Sequence, residues 1–332
     1  MKVLLAMPDG LQHRMFDRDQ LARLAALADV DVDVERTAPD LSALDDAELA
    51  AVDVLLTGWG SPLVDAAALG RMPRLRAIVH TAGTIRFVVS EAVWEHGDIV
   101  VTSATEANAV PVAEFALAQI LLAGKRTLAQ AARHREVRDR RREPPVSERV
   151  GNFRSVVGLV GASRIGRLVA EHLRRFDLEV LISDPIVSTE GIAALGGRKV
   201  ELEELFARSD VVSLHAPDVP STQGMVTARL LASMPEGATF LNTARPALVD
   251  RDALRAELLS GRISAVLDVD DDLPPDDPLW DVPTVLITPH IAGSQGNELG
   301  RMGESALEEV RRLAAREPPR FPVDPRRLSV SA

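Results

Sequence analysis

Val156-Val157-Gly158-Leu159-Val160 runs without a break into Gly161-Ala162-Ser163-Arg164-Ile165-Gly166. The first five residues show no polar alternation, the pattern of a strand buried on both faces in a parallel sheet. The next six form a G-x-G-x-x-G turn with Ser163 in place of the second glycine. Beyond the turn, Ile165, Leu168, Val169, Leu173 and Phe176 share one face of a helix. A tight strand-to-helix turn presents backbone N–H groups at a helix N-terminus, where a pyrophosphate can sit. Ser163 holds phosphates farther off than glycine would, although its hydroxyl could donate to them. The following strand, Glu179–Ser183, ends at Asp184, 23 residues after Gly161. An acid there accepts hydrogen bonds from the adenosine ribose, and its charge repels the extra phosphate of NADP. Taken alone, Asp184 before Pro185 is a turn residue; strand, turn, helix, strand and acid together point to dinucleotide binding.

Working outward, short apolar runs continue on both sides. Val3–Met7, Val30–Val34, Val54–Thr57, Ala77–His80 and Ile99–Thr102 read as strands before the turn. Val211–Leu214, Thr239–Asn242, Ala265–Asp268 and Val285–Ile287 read as strands after it. Helical patterns separate them: Ser61-Pro62 looks like a helix start, and Ser90 and Gly97 bracket another helix. One long helix is expected over roughly 110–133, and a last one over about 297–316. The fold class is therefore α/β, with two doubly wound, Rossmann-like halves. The Arg-rich run from Arg133 to Arg149 contains Pro144-Pro145 and no interleaved aromatic residue, so it reads as a solvated helix end and loop.

Composition narrows the function. The chain has 332 residues, room for about two domains, with 46% hydrophobic and 26% charged residues. A net charge of −11 argues against nucleic acid as a partner. With no cysteine there is no disulfide, no zinc–thiolate site and no cysteine nucleophile, and no metal is expected. The apolar stretch Phe115–Gly124 falls short of the ~20 residues a membrane span needs, and Val3–Met7 stops at Pro8-Asp9-Gly10, leaving no room for a signal peptide. The chain is therefore expected to be cytoplasmic, with no membrane partner.

Four segments then resemble one family together. They are Val157-Gly158-Leu159-Val160-Gly161 through Gly166, Ser209-Asp210-Val211-Val212-Ser213-Leu214-His215-Ala216-Pro217, Leu241-Asn242-Thr243-Ala244-Arg245, and Thr288-Pro289-His290-Ile291-Ala292-Gly293. In this order and spacing the chain resembles the D-isomer-specific 2-hydroxyacid dehydrogenases, which include glycerate, phosphoglycerate and D-lactate dehydrogenases and hydroxypyruvate reductases. The resemblance implies an NAD-binding domain over 105–292, inserted into a discontinuous substrate domain formed by 1–104 and 293–332. It also implies a homodimer through the helix that starts near Val110.

The resemblance further implies hydride transfer between NAD and C2 of a small 2-keto or 2-hydroxy acid. Arg245 matches the family's carboxylate clamp, a planar fork suited to that anion. Pro246 stands where the family usually has Gly. His290 matches the acid/base histidine, which gives a proton to the nascent alkoxide and takes it back in the oxidative direction. The family's third member is a Glu whose carboxylate favours the charged ring. Here Leu267-Asp268-Val269 is followed by Asp270-Asp271-Asp272-Leu273-Pro274-Pro275, with no Glu and about two residues fewer. Anchoring on Leu273-Pro274 and Leu279-Trp280 puts Asp271 in the Glu position; Asp270 and Asp272 are its rivals, and a solvated acidic loop is the bland alternative.

By the same resemblance the cofactor contacts are Gly161, Ser163, Arg164, Ile165, Asp184, Ala216, Thr222, Thr243, Ala244, Asp268, His290 and Gly293, with Asp268 near the nicotinamide amide and His215 lining the same region. Thr81-Ala82-Gly83-Thr84 resembles the substrate loop, so Gly83 and Thr84 join Arg245 as substrate-binding residues. Gly83 is favoured because close backbone approach suits glycine. Trp59 and Arg86 either shape the far end of the pocket or are structural; the structural reading is preferred, and neither is counted as a site residue. The alternative class is an NAD-binding regulatory or corepressor-like protein with little or no turnover, permitted by Ser163, Pro246 and the Asp run. Tight NADH binding without turnover across a keto-acid panel would mark it.

Overall fold

In the computed structural model, all residues are described except 143–146, 148–149 and 328–332. The chain divides into two units: Met1–Asn108 with the stretch from Ser294, and Ala109–Gly293. The crossings expected near Thr105 and Gly293 thus fall at 108/109 and 293/294. The first of these lies inside the helix Thr105–Gly124.

The first unit holds a four-stranded parallel sheet, β1 (Val3–Ala6), β2 (Val54–Thr57), β3 (Ala77–His80) and β4 (Val100–Ser103), side by side in that order. β1 to β3 are buried on both faces, which is why their sequences do not alternate. The strand expected at Val30–Val34 does not form. Only the single bridges Lys2↔Asp31 and Leu5↔Thr37 pair this region with β1. Val30, Val32 and Val34 pack half-buried on the core, whereas the Asp33 carboxylate accepts the Glu35 N–H and turns the chain away. Ser61-Pro62 is not a helix start either: Ser61 Oγ accepts the Gly58 N–H, and the helix Ala66–Arg71 begins at its Asp65 cap. Ser90 and Gly97 do bracket the helix Glu91–His96.

The second unit holds β5 (Val156–Val160), β6 (Glu179–Ser183), β7 (Arg198–Lys199), β8 (Val211–Leu214), β9 (Thr239–Asn242), β10 (Ser264–Leu267) and β11 (Val285–Ile287). All pairs are parallel, in the order β11-β10-β9-β8-β5-β6-β7. The order reverses between β5 and β8, and in such sheets ligands bind beyond the strand C-termini at that reversal. Gly158 needs to be glycine for packing: a Cβ there would lie 2.4 Å from Leu205 and 2.5 Å from Ser209.

The single helix expected over 110–133 is two, Thr105–Gly124 and Thr127–Val137. Arg126 breaks it in the left-handed region (φ 48°), and Thr127 Oγ1 takes up the Leu122 carbonyl at 2.9 Å. The first helix, 20 residues long, is apolar enough by length and composition to cross a membrane, which the shorter window did not anticipate. Its Ala113, Ala116 and Ile120 lie in the core beside β5. The last helix is Leu299–Ala314.

Candidate active site

In the second unit, Gly161 leaves β5 with φ 95°, and a Cβ on it would lie 2.9 Å from the Ala216 nitrogen. A Cβ on Gly166 would lie 2.1 Å from the Gly161 carbonyl oxygen. The two glycines therefore let the turn press against the end of β8. Ser163 caps the helix Arg164–Leu173 by position only. Its side chain makes no capping hydrogen bond, because Oγ donates to the His215 carbonyl at 3.0 Å. The hydroxyl expected to serve phosphates is thus spent on the fold, and the helix N-terminus receives no cap from the Ser163 side chain. Asp184 also braces the turn. One carboxylate oxygen accepts the Ala162 N–H at 2.7 Å, and the other accepts those of Ile186 and Val187 at 2.8 and 2.9 Å.

Beyond β8, His215 is buried, with Nε2 2.8 Å from Ser213 Oγ and Nδ1 unpartnered. Burial pushes its imidazole down to about 4, so the ring is neutral at physiological pH. Thr243 Oγ1, beyond β9, is likewise buried without a partner. Two orphaned polar atoms and an uncapped helix N-terminus, all beyond the strand ends at the reversal, fit a dinucleotide. Thr222 fits less directly: its hydroxyl closes a local turn, donating to Pro217 O and accepting the Val219 N–H.

Arg245 follows β9, with its guanidinium donating to the Ala244 carbonyl at 2.6 Å. Pro246 opens the short helical turn Pro246–Leu248 at its first position, where a missing N–H costs nothing. The substitution for glycine is accommodated.

Beyond β11 the chain reaches His290 in the left-handed region (φ 55°). Asp268 holds this turn. It is 1% exposed; one oxygen accepts Thr288 Oγ1 at 2.6 Å and the Ile291 N–H at 2.8 Å, and the other accepts the Ala292 N–H at 2.8 Å. The residue expected beside the nicotinamide amide is therefore engaged on both oxygens in shaping the histidine's loop. His290 Nδ1 lies 2.8 Å from Asp271 Oδ2, with both side chains about half exposed. The rivals turn elsewhere: Arg251 takes Asp272 through two hydrogen bonds at 2.7 and 2.9 Å and draws Asp270 to 3.6 Å. Burial pushes Asp270 up, against the pull of Arg251. Nothing in the local sequence marked Arg251, since it lies about twenty positions upstream on a separate helix.

In the first unit, Thr81 Oγ1 donates to the Thr57 carbonyl, and Thr105 Oγ1 donates to the Gly83 carbonyl at 2.9 Å. Gly83 has no positive φ, and a Cβ on it would meet only Asn108 Nδ2 at an ordinary 3.5 Å. The fold does not require glycine there, so its absence of side chain leaves open space before the loop. Asn108 Oδ1 accepts the Ser294 N–H at 2.9 Å. Asn108 and Ser294 were not apparent as site residues because their connection spans 186 positions. Thr84 Oγ1 lies 3.5 Å from the Arg86 N–H. Among the described residues no cluster of metal-ligating side chains occurs.

Residues 118–292 match the family model for the D-isomer specific 2-hydroxyacid dehydrogenase NAD-binding domain. The chain is 35% identical over 256 residues to the D-3-phosphoglycerate dehydrogenase of Mycobacterium tuberculosis, covering 76% of this chain and 48% of that one. It therefore spans about half the length of the phosphoglycerate dehydrogenases it matches. It is 33% identical over 255 residues to the glyoxylate reductase of Korarchaeum cryptofilum, covering 74% and 75%. It is also similar to the D-lactate dehydrogenase of Aquifex aeolicus solved with NAD and lactic acid, at 25% identity and a TM-score of 0.67 over 96% of both chains.

Proposed function

Because the chain belongs to the D-isomer specific 2-hydroxyacid dehydrogenase family, we propose that it reduces small 2-keto acids to 2-hydroxy acids, and runs the reverse, with NAD as cofactor. The observation that carries this reading is the His290–Asp271 contact at 2.8 Å, made by a loop latched to buried Asp268. A bound nicotinamide dinucleotide supplies or takes the hydride at substrate C2. The chain's own residues do the rest. Arg245 holds the substrate carboxylate through its planar fork. Gly83 and Thr84, in the first unit, offer backbone N–H groups to an anionic substrate group. His290 protonates the carbonyl oxygen as C2 is reduced, and removes the hydroxyl proton in the other direction. Asp271 accepts a hydrogen bond from Nδ1, which fixes the ring's tautomer and orientation. Asp184 selects NAD over NADP by its charge. Exposed Leu122 on the helix Thr105–Gly124 supports a homodimer through that helix.

The test follows NADH and NADPH absorbance with a panel of 2-keto acids. Turnover with NADH and little with NADPH is expected, and His290→Ala is expected to lose about 10²- to 10⁴-fold in rate while still binding NADH. Binding of NADH with no turnover on any acid would replace this reading with a regulatory one.

A further inference from the structure

One cavity in the first unit lies outside the roles assigned above. It measures about 300 Å³ and is lined by Arg14, Trp59, Ser294, Gln295, Gly296 and Leu299. Gly58 joins its wall to the substrate loop: a Cβ there would lie 2.8 Å from Leu11 and 3.0 Å from Thr81 Oγ1, so the backbone before Trp59 packs onto both. Leu11 begins the short helix that carries Arg14, and Thr81 begins the loop that carries Gly83. Asn108 touches the space in front of Gly83 and accepts the Ser294 N–H, so one amide side chain spans from the loop to the cavity.

The lining carries chemistry that the fold does not use. Ser294 is 3% exposed, and its Oγ has no hydrogen-bond partner. A buried hydroxyl left unpaired is costly unless something else satisfies it. Arg14 has no carboxylate partner among the described residues, although its neighbour His13 faces Glu35 at 3.4 Å. The carboxylate of the same loop, Glu298, is occupied by the Gln295 N–H at 2.9 Å. Trp59 keeps its indole 40% exposed at the wall.

Resting on the function proposed above, we propose that this cavity receives the tail of the 2-keto acid, and that Arg14 selects tails ending in an anion. The indole of Trp59 and the side chain of Leu299 cover the tail's methylenes. Ser294 Oγ donates to an oxygen on the tail. The Arg14 guanidinium pairs with the terminal carboxylate or phosphate, the two anions its fork matches. Of the two sequence readings of Trp59, structural or shaping the far end of the pocket, the proposal takes the second; Arg14 and Ser294 are new to it.

The experiment compares kcat/KM with NADH for 2-ketoglutarate, for the phosphate ester of hydroxypyruvate, and for neutral-tailed 2-ketohexanoate. Wild type, Arg14→Gln and Ser294→Ala are assayed together. Wild type is expected to prefer an anionic tail by about tenfold or more, and the better of the two anions identifies the terminal group. Arg14→Gln is expected to bring the anionic-to-neutral ratio near unity. A wild-type preference for the neutral tail, or an Arg14→Gln loss equal on both tails, overturns the proposal. If no keto acid is turned over at all, the activity reading has failed and binding decides the pocket. In that case 2-ketoglutarate must raise the Tm of wild type more than that of Arg14→Gln; equal shifts overturn the proposal.

Discussion

In the seven-stranded unit the glycine turn and the histidine loop hang on half-buried Asp184 and buried Asp268. In the four-stranded unit the loop 81–84 and the Ser294 turn hang on two hydroxyls and one amide. Asp268 gathers three donors from 288–292, and Asp184 gathers three from the glycine turn and its neighbour. Across the other sheet, Thr81, Thr105 and Asn108 each secure their loop with one neutral hydrogen bond. Hydrogen bonds to charge are about twice as strong as neutral ones. The contrast suits the proposed division of labour: a proton-transferring histidine needs a fixed position, whereas a loop that receives substrate can yield.

The largest effect should come from cutting the strongest anchor. Asp268→Ala leaves two N–H groups and a hydroxyl buried without an acceptor, a loss of about 3 kcal/mol or more. Asn108→Ala frees one N–H and should cost about 1 kcal/mol. Chemical denaturation of both variants measures the difference, and equal losses would erase the contrast between the units.

In one respect the units are alike, and pH exposes it. His80, at the end of β3, packs against Thr57 Oγ1 at 2.9 Å, and burial pushes its ring down to about 4, as it does for His215. Between about 6.5 and about 4 the unfolded chain binds more protons at these rings than the folded one, so stability rises with pH there. The stabilisation is complete above the ordinary histidine value and is lost as pH falls toward 4. Each ring accounts for on the order of 3 kcal/mol across that window. His80→Gln and His215→Gln should each flatten the same part of the stability–pH curve. Flattening by only one of them would show that the two sites differ after all.

The sharpest part of the sequence reading was the seven-stranded sheet. Five of its strands, β5, β6, β8, β9 and β11, carry the boundaries read from apolar runs. Strands buried on both faces leave unbroken apolar segments, which a single sequence displays. The two-residue edge strand β7 has no such run. Val30–Val34 alternates valine with aspartate like a half-buried strand, yet only Asp31 within it makes a bridge, to Lys2. Arg126 breaks the helix through backbone geometry two residues after Gly124, the glycine at which the first helix ends. In the site, the family resemblance anchored on Leu273-Pro274 and Leu279-Trp280 puts Asp271, with Asp270 and Asp272 as rivals, in the Glu position, and it is Asp271 that lies against His290. What Asp268 and Asn108 hold was illegible, because those partners come from distant positions.

Asp271→Asn tests the exposed member of the acid pair. It keeps an acceptor near Nδ1 and removes the charge. A carboxylate that fixes the ring's tautomer and orientation predicts a roughly tenfold loss in reduction rate. Asp271→Asn should leave stability nearly unchanged, since the pair is half exposed. An unchanged rate would mean that any acceptor beside Nδ1 serves as well as the carboxylate.

The smallest effect belongs to the four-stranded unit and involves no site residue. Arg316 follows the helix Leu299–Ala314 and its cap Ala315, and adopts φ 56°. Helices commonly end in this left-handed conformation, and glycine takes it without the Cβ penalty. The Arg316 N–H already closes the helix end on the Leu313 carbonyl at 3.2 Å, a backbone bond that a substitution preserves. Arg316→Gly should therefore raise stability by about 0.5–1 kcal/mol, read as a higher denaturation midpoint at unchanged slope. The gain is limited because glycine also frees the unfolded chain. Kinetics should not change, because Arg316 is none of the residues assigned to the site. A destabilised variant would show that the arginine's side chain contributes more than its backbone costs, and that the helix carrying the C-terminal part of this unit is held from its surface as well as from its buried face.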